Sequence, residues 1–218
     1  MHPRIAFLTI GRAPRGDIVP VIAAELGDAV DVVEAGALDG LDDGSVALLA
    51  PKPGDYVLIT RANGREVLVG KPAVTARLQA IIERLEATTD AFVVLCTGAF
   101  PQLCSKRPIL EPDRMMKAMV DALWRGGILG VLLPVEAQRE PNRALWGDRP
   151  LAIEIASPYG DAAALRRAGE SLKRAGASLV AMSCMGYTPA MKDALRAITG
   201  APALLPATVA AHFIRESL

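Results

Sequence analysis

Histidine is almost missing from this chain of 218 residues, which has only His2 and His212, close to its two ends. That scarcity excludes a good deal of chemistry. There is no HExxH, no CxxC and no paired His–carboxylate spacing, so no protein-built metal site is expected. A Ser-His-Asp or Cys-His hydrolase would have to recruit His212. Neither GxxxxGK[ST] nor GxGxxG occurs, so the usual phosphate-cradling loops are missing as well. An excess of one charge is also lacking: 24 Lys+Arg balance 24 Asp+Glu, and the electrostatic footprint of a nucleic-acid binder is gone. The longest apolar runs, such as Ile128 to Val135, fall far short of the roughly 18 residues a membrane helix needs. Ile5 to Ile10 is too short for a signal peptide, and three cysteines read as reduced thiols rather than a disulfide scaffold. The expected setting is therefore the cytoplasm. Aromatic residues make up only 4% of a chain that is 51% apolar, so the core must be Ala, Val, Leu and Ile. That composition suits helices laid on a parallel sheet.

What is present is an alternation of strands and helices. Arg4 to Ile10, Val30 to Ala35 and Ala91 to Leu95 are continuous apolar runs of the kind buried on both faces, with Pro108 to Leu110 a weaker fourth. Helical patterns fill Asp17 to Leu26 and Pro72 to Ala87. Tyr56 to Thr60 and Glu66 to Val69 flank Asn63-Gly64, a hairpin signal inserted into the alternation. The second half repeats the plan, with strands at Ile128 to Leu133, Leu151 to Ile155, Ser178 to Met182 and Ala203 to Leu205. Helices are expected at Val135 to Trp146, Asp161 to Ala175 and Pro189 to Ile198, with Gly176 and Gly200 where helix ends favour positive φ. An α/β fold with mainly parallel sheets follows.

The halves also end alike. One runs Cys96-Thr97-Gly98, a short strand, Pro112 and a helix over Asp113 to Trp124. The other runs Cys184-Met185-Gly186, a short strand, Pro206 and a helix over Ala207 to Ser217. This reads as a duplicated four-stranded unit: two lobes, 1–111 plus 206–218 and 112–205, the first carrying the hairpin and taking back the last helix.

Cys96 and Cys184 each lie just past the carboxyl end of an expected parallel strand, where α/β sheets place their ligands. The glycine two residues on lets a ligand approach the backbone, and the next amides can face an anion. The plain alternative is a pair of core thiols, since free cysteine is often buried. Cys104 has no counterpart and is left there. Thr9, Gly11, Arg12 and Arg15 follow the first strand, where either arginine could grip a carboxylate with paired N–H donors or remain a solvated loop charge. Glu136 suits a helix N-terminus better than acid catalysis. Thr60 and Arg61 end a hairpin strand that could cover a cleft. Tyr187 could offer its hydroxyl to a substrate or simply pack.

The strand order, the paired strand-end cysteines and the duplication resemble the aspartate/glutamate racemase superfamily, which includes hydantoin racemases, maleate isomerases and arylmalonate decarboxylases. Within it, IAFLTIGRAPRGDIVP, VLCTG, GVLLPVEAQ and MSCMGY resemble the AroM family over essentially the whole chain. The resemblance implies a cleft between the lobes with Cys96 and Cys184 on opposite walls, but no established substrate. This chain departs from glutamate racemases in having Thr9-Ile10 for Asp-Ser, Cys96-Thr97-Gly98 for Cys-Asn-Thr, and Met185-Gly186-Tyr187 where Thr-His follows the second cysteine. Groups that hold an amino-acid ammonium and assist its cysteine are lost, which argues against free aspartate or glutamate.

The expected activity is proton transfer next to a carbonyl or carboxylate, with no metal or other cofactor. One thiolate takes the proton and the other cysteine, as a thiol, returns one on the opposite face. Thr97, Gly98 and Gly186 would supply N–H donors to the enolate. A one-cysteine decarboxylase or maleate-type isomerase is the alternative, and a non-catalytic small-molecule module linked to aromatic metabolism is another. The expected partner is a small carboxylate or related ligand, without nucleic acid or membrane and compatible with a homo-oligomer.

Overall fold

A computed structural model describes residues 2–217. In the first half, β1 (Arg4–Thr9), β2 (Asp31–Gly36), β5 (Ala91–Leu95) and β6 (Ile109–Leu110) form a parallel sheet in the order β2-β1-β5-β6. In the second half, β7 (Ile128–Leu133), β8 (Leu151–Ile155), β9 (Ala177–Met182) and β10 (Ala203–Leu204) form another, in the order β10-β9-β7-β8. Counted within each half, both sheets have the order 2-1-3-4. The duplicated α/β architecture read from the sequence is thus the architecture observed, in two separate sheets.

The apolar runs explain why. Side chains alternate across a strand, so a run without polar gaps must be covered on both faces. Ile5 and Phe7 of β1 point into one core and Ala6 and Leu8 into another. Likewise Leu129, Val131 and Leu133 of β7 join the first of these cores, while Leu132 joins a third. The first core is shared by both sheets. It is completed by α1 (Val19–Leu26), α4 (Pro112–Leu123) and α8 (Pro206–Ser217). α8 packs against both α1 and α4. α3 (Lys71–Leu85) covers the outer face of the first sheet through Val74, Leu78 and Ile82. α6 (Ala162–Arg174) and α7 (Pro189–Thr199) cover that of the second. Among the described residues no helix is long and apolar enough to cross a membrane.

The hairpin is β3 (Val57–Ala62) and β4 (Arg65–Gly70), antiparallel, turning at Asn63 and Gly64 with φ of 49° and 75°. Positive φ at both positions is what a tight primed turn requires. Three hydrogen bonds tie it and its approach to the second half. Gln138 Nε2 donates to the Val57 carbonyl (2.9 Å), Ser157 Oγ to Glu66 Oε2 (2.7 Å), and Asn142 Nδ2 to Tyr56 Oη (3.3 Å). Some boundaries differ from expectation for local reasons. Pro20, in the first turn, sets the start of α1 at Val19 rather than Asp17. The helix expected from Val135 is a 3₁₀ turn over Glu136–Gln138 leading into a short α5 (Arg139–Leu145). A helix absent from the sequence reading, α2 (Asp43–Ala47), is capped by Asp42, whose carboxylate accepts the Ser45 N–H at 2.7 Å.

Candidate active site

In a sheet of order 2-1-3-4 the chain leaves strands 1 and 3 in opposite directions, which opens a crevice at their carboxyl ends. Both sheets aim that crevice at one cavity. Ile10 follows β1, Cys96 follows β5, Pro134 follows β7 and Ser183 and Cys184 follow β9, and all of them line it. Leu58 and Ile59 of the hairpin close one side, so the hairpin does cover the cleft. The cavity measures about 360 Å³ including its mouth. That size suits a small molecule.

The cysteines occupy equivalent places. Both are free and buried, and the Cys96 sulfur accepts the N–H of the glycine two residues on, Gly98 (3.3 Å); Gly186 stands in the same place after Cys184. A side chain at Gly98 would crowd Leu58 Cδ2 at 3.3 Å, and one at Gly186 would come within 2.6 Å of the Tyr159 hydroxyl. Burial pushes the Cys96 thiol up to about 12. The Gly98 N–H works against this, while a charge on Cys184 or Asp113 adds to it. Burial pushes Cys184 up to about 11, with the Gly186 N–H and the Arg15 charge opposing. At neutral pH both are thiols.

Arg15 reaches the cavity but offers no free carboxylate fork. It is 5% exposed. Its Nε and Nη2 donate to the two carboxylate oxygens of Asp17 at 2.7 Å each, Nη1 donates to Thr9 Oγ1 (3.1 Å), and Nη2 also donates to Tyr159 Oη (3.0 Å). Burial alone would lower the guanidinium pKa, yet Asp17 and Tyr159 hold it above its ordinary value. Burial raises the Asp17 pKa, and the Arg15 pairing overcomes this and leaves it lowered. Arg12 lies elsewhere, donating to the Leu41 carbonyl and standing 4.0 Å from Asp43.

Of the residues singled out in the sequence, the cavity gathers Cys96, Cys184, Arg15, Thr97, Gly98 and Gly186. Thr9 stands one step behind as an acceptor for Arg15. Gly11 packs on Thr60, whose hydroxyl a Cβ there would strike. Tyr187 turns away: it is 2% exposed and its hydroxyl donates to the Ala156 carbonyl at 2.7 Å, so it packs rather than facing a ligand. His212 is exposed on α8, away from the cavity, which removes a His-based hydrolase. Glu136 is exposed and paired with Arg139. Three polar lining residues escaped the sequence reading: Gln138, Tyr159 and Ser183. Ser183 adjoins a recognised cysteine. Gln138 and Tyr159 follow the carboxyl ends of β7 and β8, so a search of every strand-end loop, not only those with cysteine, would have found them. Among the described residues no group of three His, Cys, Asp or Glu side chains could hold a metal.

A family model described as AroM protein matches residues 5–218. The chain belongs to the AroM family. Its fold is shared with allantoin racemase from Pseudomonas fluorescens (13% identity, TM-score 0.65, 99% of this chain and 90% of that one). It is shared equally with arylmalonate decarboxylase (15%, 0.62, 99% and 92%) and with glutamate racemase from Aquifex pyrophilus (15%, 0.60, 99% and 84%). A search of curated proteins finds no match. The AroM chain thus has the fold of these two racemases and of arylmalonate decarboxylase.

One buried acid of this AroM chain bears on Cys96. Asp113, in the first turn of α4, is 8% exposed. Burial pushes its carboxyl up to about 6, helped by Glu111 and opposed by Lys71 and Lys117. A carboxyl whose pKa rises on folding favours the folded state at low pH, and that support is lost as pH climbs from about 4 through 6. Asp113→Asn should therefore stabilise the protein at pH 7.5 by roughly 1–3 kcal/mol and leave it unchanged near pH 4. Urea melts at the two pH values check this; equal effects at both would refute it.

Proposed function

We propose that this AroM-family chain moves protons at a carbon next to a carbonyl or carboxylate in a small substrate, without a cofactor, using Cys96 and Cys184 on opposite faces. One observation carries the reading: two free thiols at equivalent strand ends of the duplicated halves line the same small cavity. A buried charge would raise the other thiol further, so one sulfur acts as thiolate while its partner stays protonated, the pairing that inversion at carbon requires. The Gly98 N–H meets the Cys96 sulfur and favours its thiolate, the Gly186 N–H favours that of Cys184, and Thr97 and the Ser183 hydroxyl, both in the lining, can donate to an enolate oxygen. A screen in deuterium oxide over α-chiral carboxylates, amino acids and hydantoins, followed by proton NMR, is expected to show loss of an α-proton signal with racemisation. If no compound exchanges and neither cysteine reacts with iodoacetamide, the chain is a binding module instead.

A second reading rests on the protonation state. Both thiols are neutral at neutral pH, and a neutral thiol is ready to protonate the carbanion left when a carboxylate departs as carbon dioxide; in a maleate-type isomerisation the one cysteine would instead add to the double bond as a thiolate and leave again after rotation. Only one cysteine then does chemistry.

A further inference from the structure

The cavity has an unusual charge balance. Its lining contains seven apolar side chains, Ile10, Ile18, Leu58, Ile59, Leu95, Pro134 and Met185, and no carboxylate. Arg15 is the only ionised lining residue, and four of its five N–H donors are already drawn to protein acceptors, two of them to Asp17. The pair brings one positive and one negative charge, so the site as a whole offers a ligand almost no net field. Other charges stand behind the wall. Arg61 stacks 5.4 Å from the Tyr159 ring centre and donates to the Gly64 carbonyl, and Glu66 is bound by Ser157. Lys71 lies over the rings of Tyr56 and Phe100. By contrast, the Tyr159 hydroxyl accepts from Arg15 and, among the described residues, donates to no protein group. Arg15 therefore fixes a neutral donor at the cavity wall.

We infer that Asp17 sets substrate class by cancelling the Arg15 charge. The ligand of this site is a carbonyl compound or monocarboxylate with a small branched apolar substituent, bound through the Tyr159 hydroxyl, and dicarboxylates and α-amino acids are rejected. This rests on the proton-transfer reading only in taking the ligand to be a carbonyl compound. A second carboxylate would enter an apolar wall without a cation, and an α-ammonium would find no anion there. Either charge then keeps its full cost of leaving water. Asp17 decides this even though its own side chain does not line the cavity.

Calorimetric titration at pH 7.5 with three probes of similar size tests it. These are 2-methylbutanoate, 2-methylsuccinate and L-2-aminobutanoate. In the native chain 2-methylbutanoate should bind at least tenfold more tightly than either of the others. Asp17→Asn keeps the shape of the side chain and removes its charge, so both anions should bind more tightly, 2-methylsuccinate the more, and the preference for 2-methylbutanoate over it should narrow by about tenfold. Tyr159→Phe should weaken 2-methylbutanoate several-fold, with melting temperature recorded for both variants. Native binding of 2-methylsuccinate or L-2-aminobutanoate as tight as 2-methylbutanoate overturns the inference. So does failure of 2-methylbutanoate to bind at millimolar concentration, and so does an unchanged preference in a folded Asp17→Asn chain. The native comparison needs no variant to fold. Because binding is read without turnover, absence of proton exchange would sink the proposed activity and leave this result standing.

Discussion

Replacing either Cys96 or Cys184 by alanine should abolish racemisation, lowering its rate by roughly two to four orders of magnitude, the usual contribution of a positioned proton-transfer group. The two losses should not look alike. The surviving sulfur still reaches its own face of the reacting carbon, so each variant should exchange the α-proton of one enantiomer only, with opposite preferences for Cys96→Ala and Cys184→Ala. Each sulfur must come within roughly 3–3.5 Å of the same carbon for this to occur. Proton NMR of the separate enantiomers in deuterium oxide reads the outcome. A folding defect would reduce both enantiomers together. If one alanine variant keeps full activity while the other loses all of it, the one-cysteine reading replaces the two-base one.

The parts of the fold legible in the sequence were those fixed by burial on two faces. Ile5 to Leu8 and Leu129 to Leu133 have no polar residue at any register, so a doubly covered strand was the natural reading, and the paired cysteines marked where two such strands end. Boundaries governed by local competition were less visible. α2 depends on one Asp42 cap, and the segment after β7 tightens into a 3₁₀ turn before α5. The candidate site divides in the same way. Cys96, Thr97, Gly98, Cys184 and Gly186 are where strand-end reasoning put them, because position along a strand determines which end of the sheet a residue reaches. Side-chain commitments are decided by neighbours distant in sequence. Tyr187 finds the Ala156 carbonyl, Arg12 finds Leu41, and Arg15 finds, from the other half of the chain, Tyr159. None of these partners follows from a motif, so Tyr187, which could have faced a ligand or packed, packs inside, and Tyr159, which went unremarked, lines the cavity.

The pH profile should separate the two mechanisms. Burial holds Cys96 near 12 and Cys184 near 11, against an ordinary thiol value of about 8.5. The groups acting on Cys184 are the Gly186 N–H and Arg15, which favour its thiolate, and Asp17 and Glu66, which oppose it. On Cys96 the Gly98 N–H and Lys71 favour the thiolate, and Cys184 and Asp113 oppose it. A reaction that needs one thiolate draws on a minority species at neutral pH. Its kcat/KM should rise about tenfold per unit from pH 7 to 10 and level off as Cys184 ionises. A reaction that needs only a thiol should be flat over the same range and decline above it. Stability changes with the same sign analysis. A thiol whose pKa is raised by folding supports the folded state fully below its unfolded value, and that support is lost as pH rises from about 9 toward 11 or 12. Denaturant melts of the native chain should weaken between pH 8 and 10, by about 1 kcal/mol or more, and the Cys96→Ala/Cys184→Ala double variant should lose much of that slope. A rising rate together with a thiol-dependent fall in stability identifies the buried thiolate as the base; a flat rate with the same fall leaves the thiols in place but assigns them to proton donation.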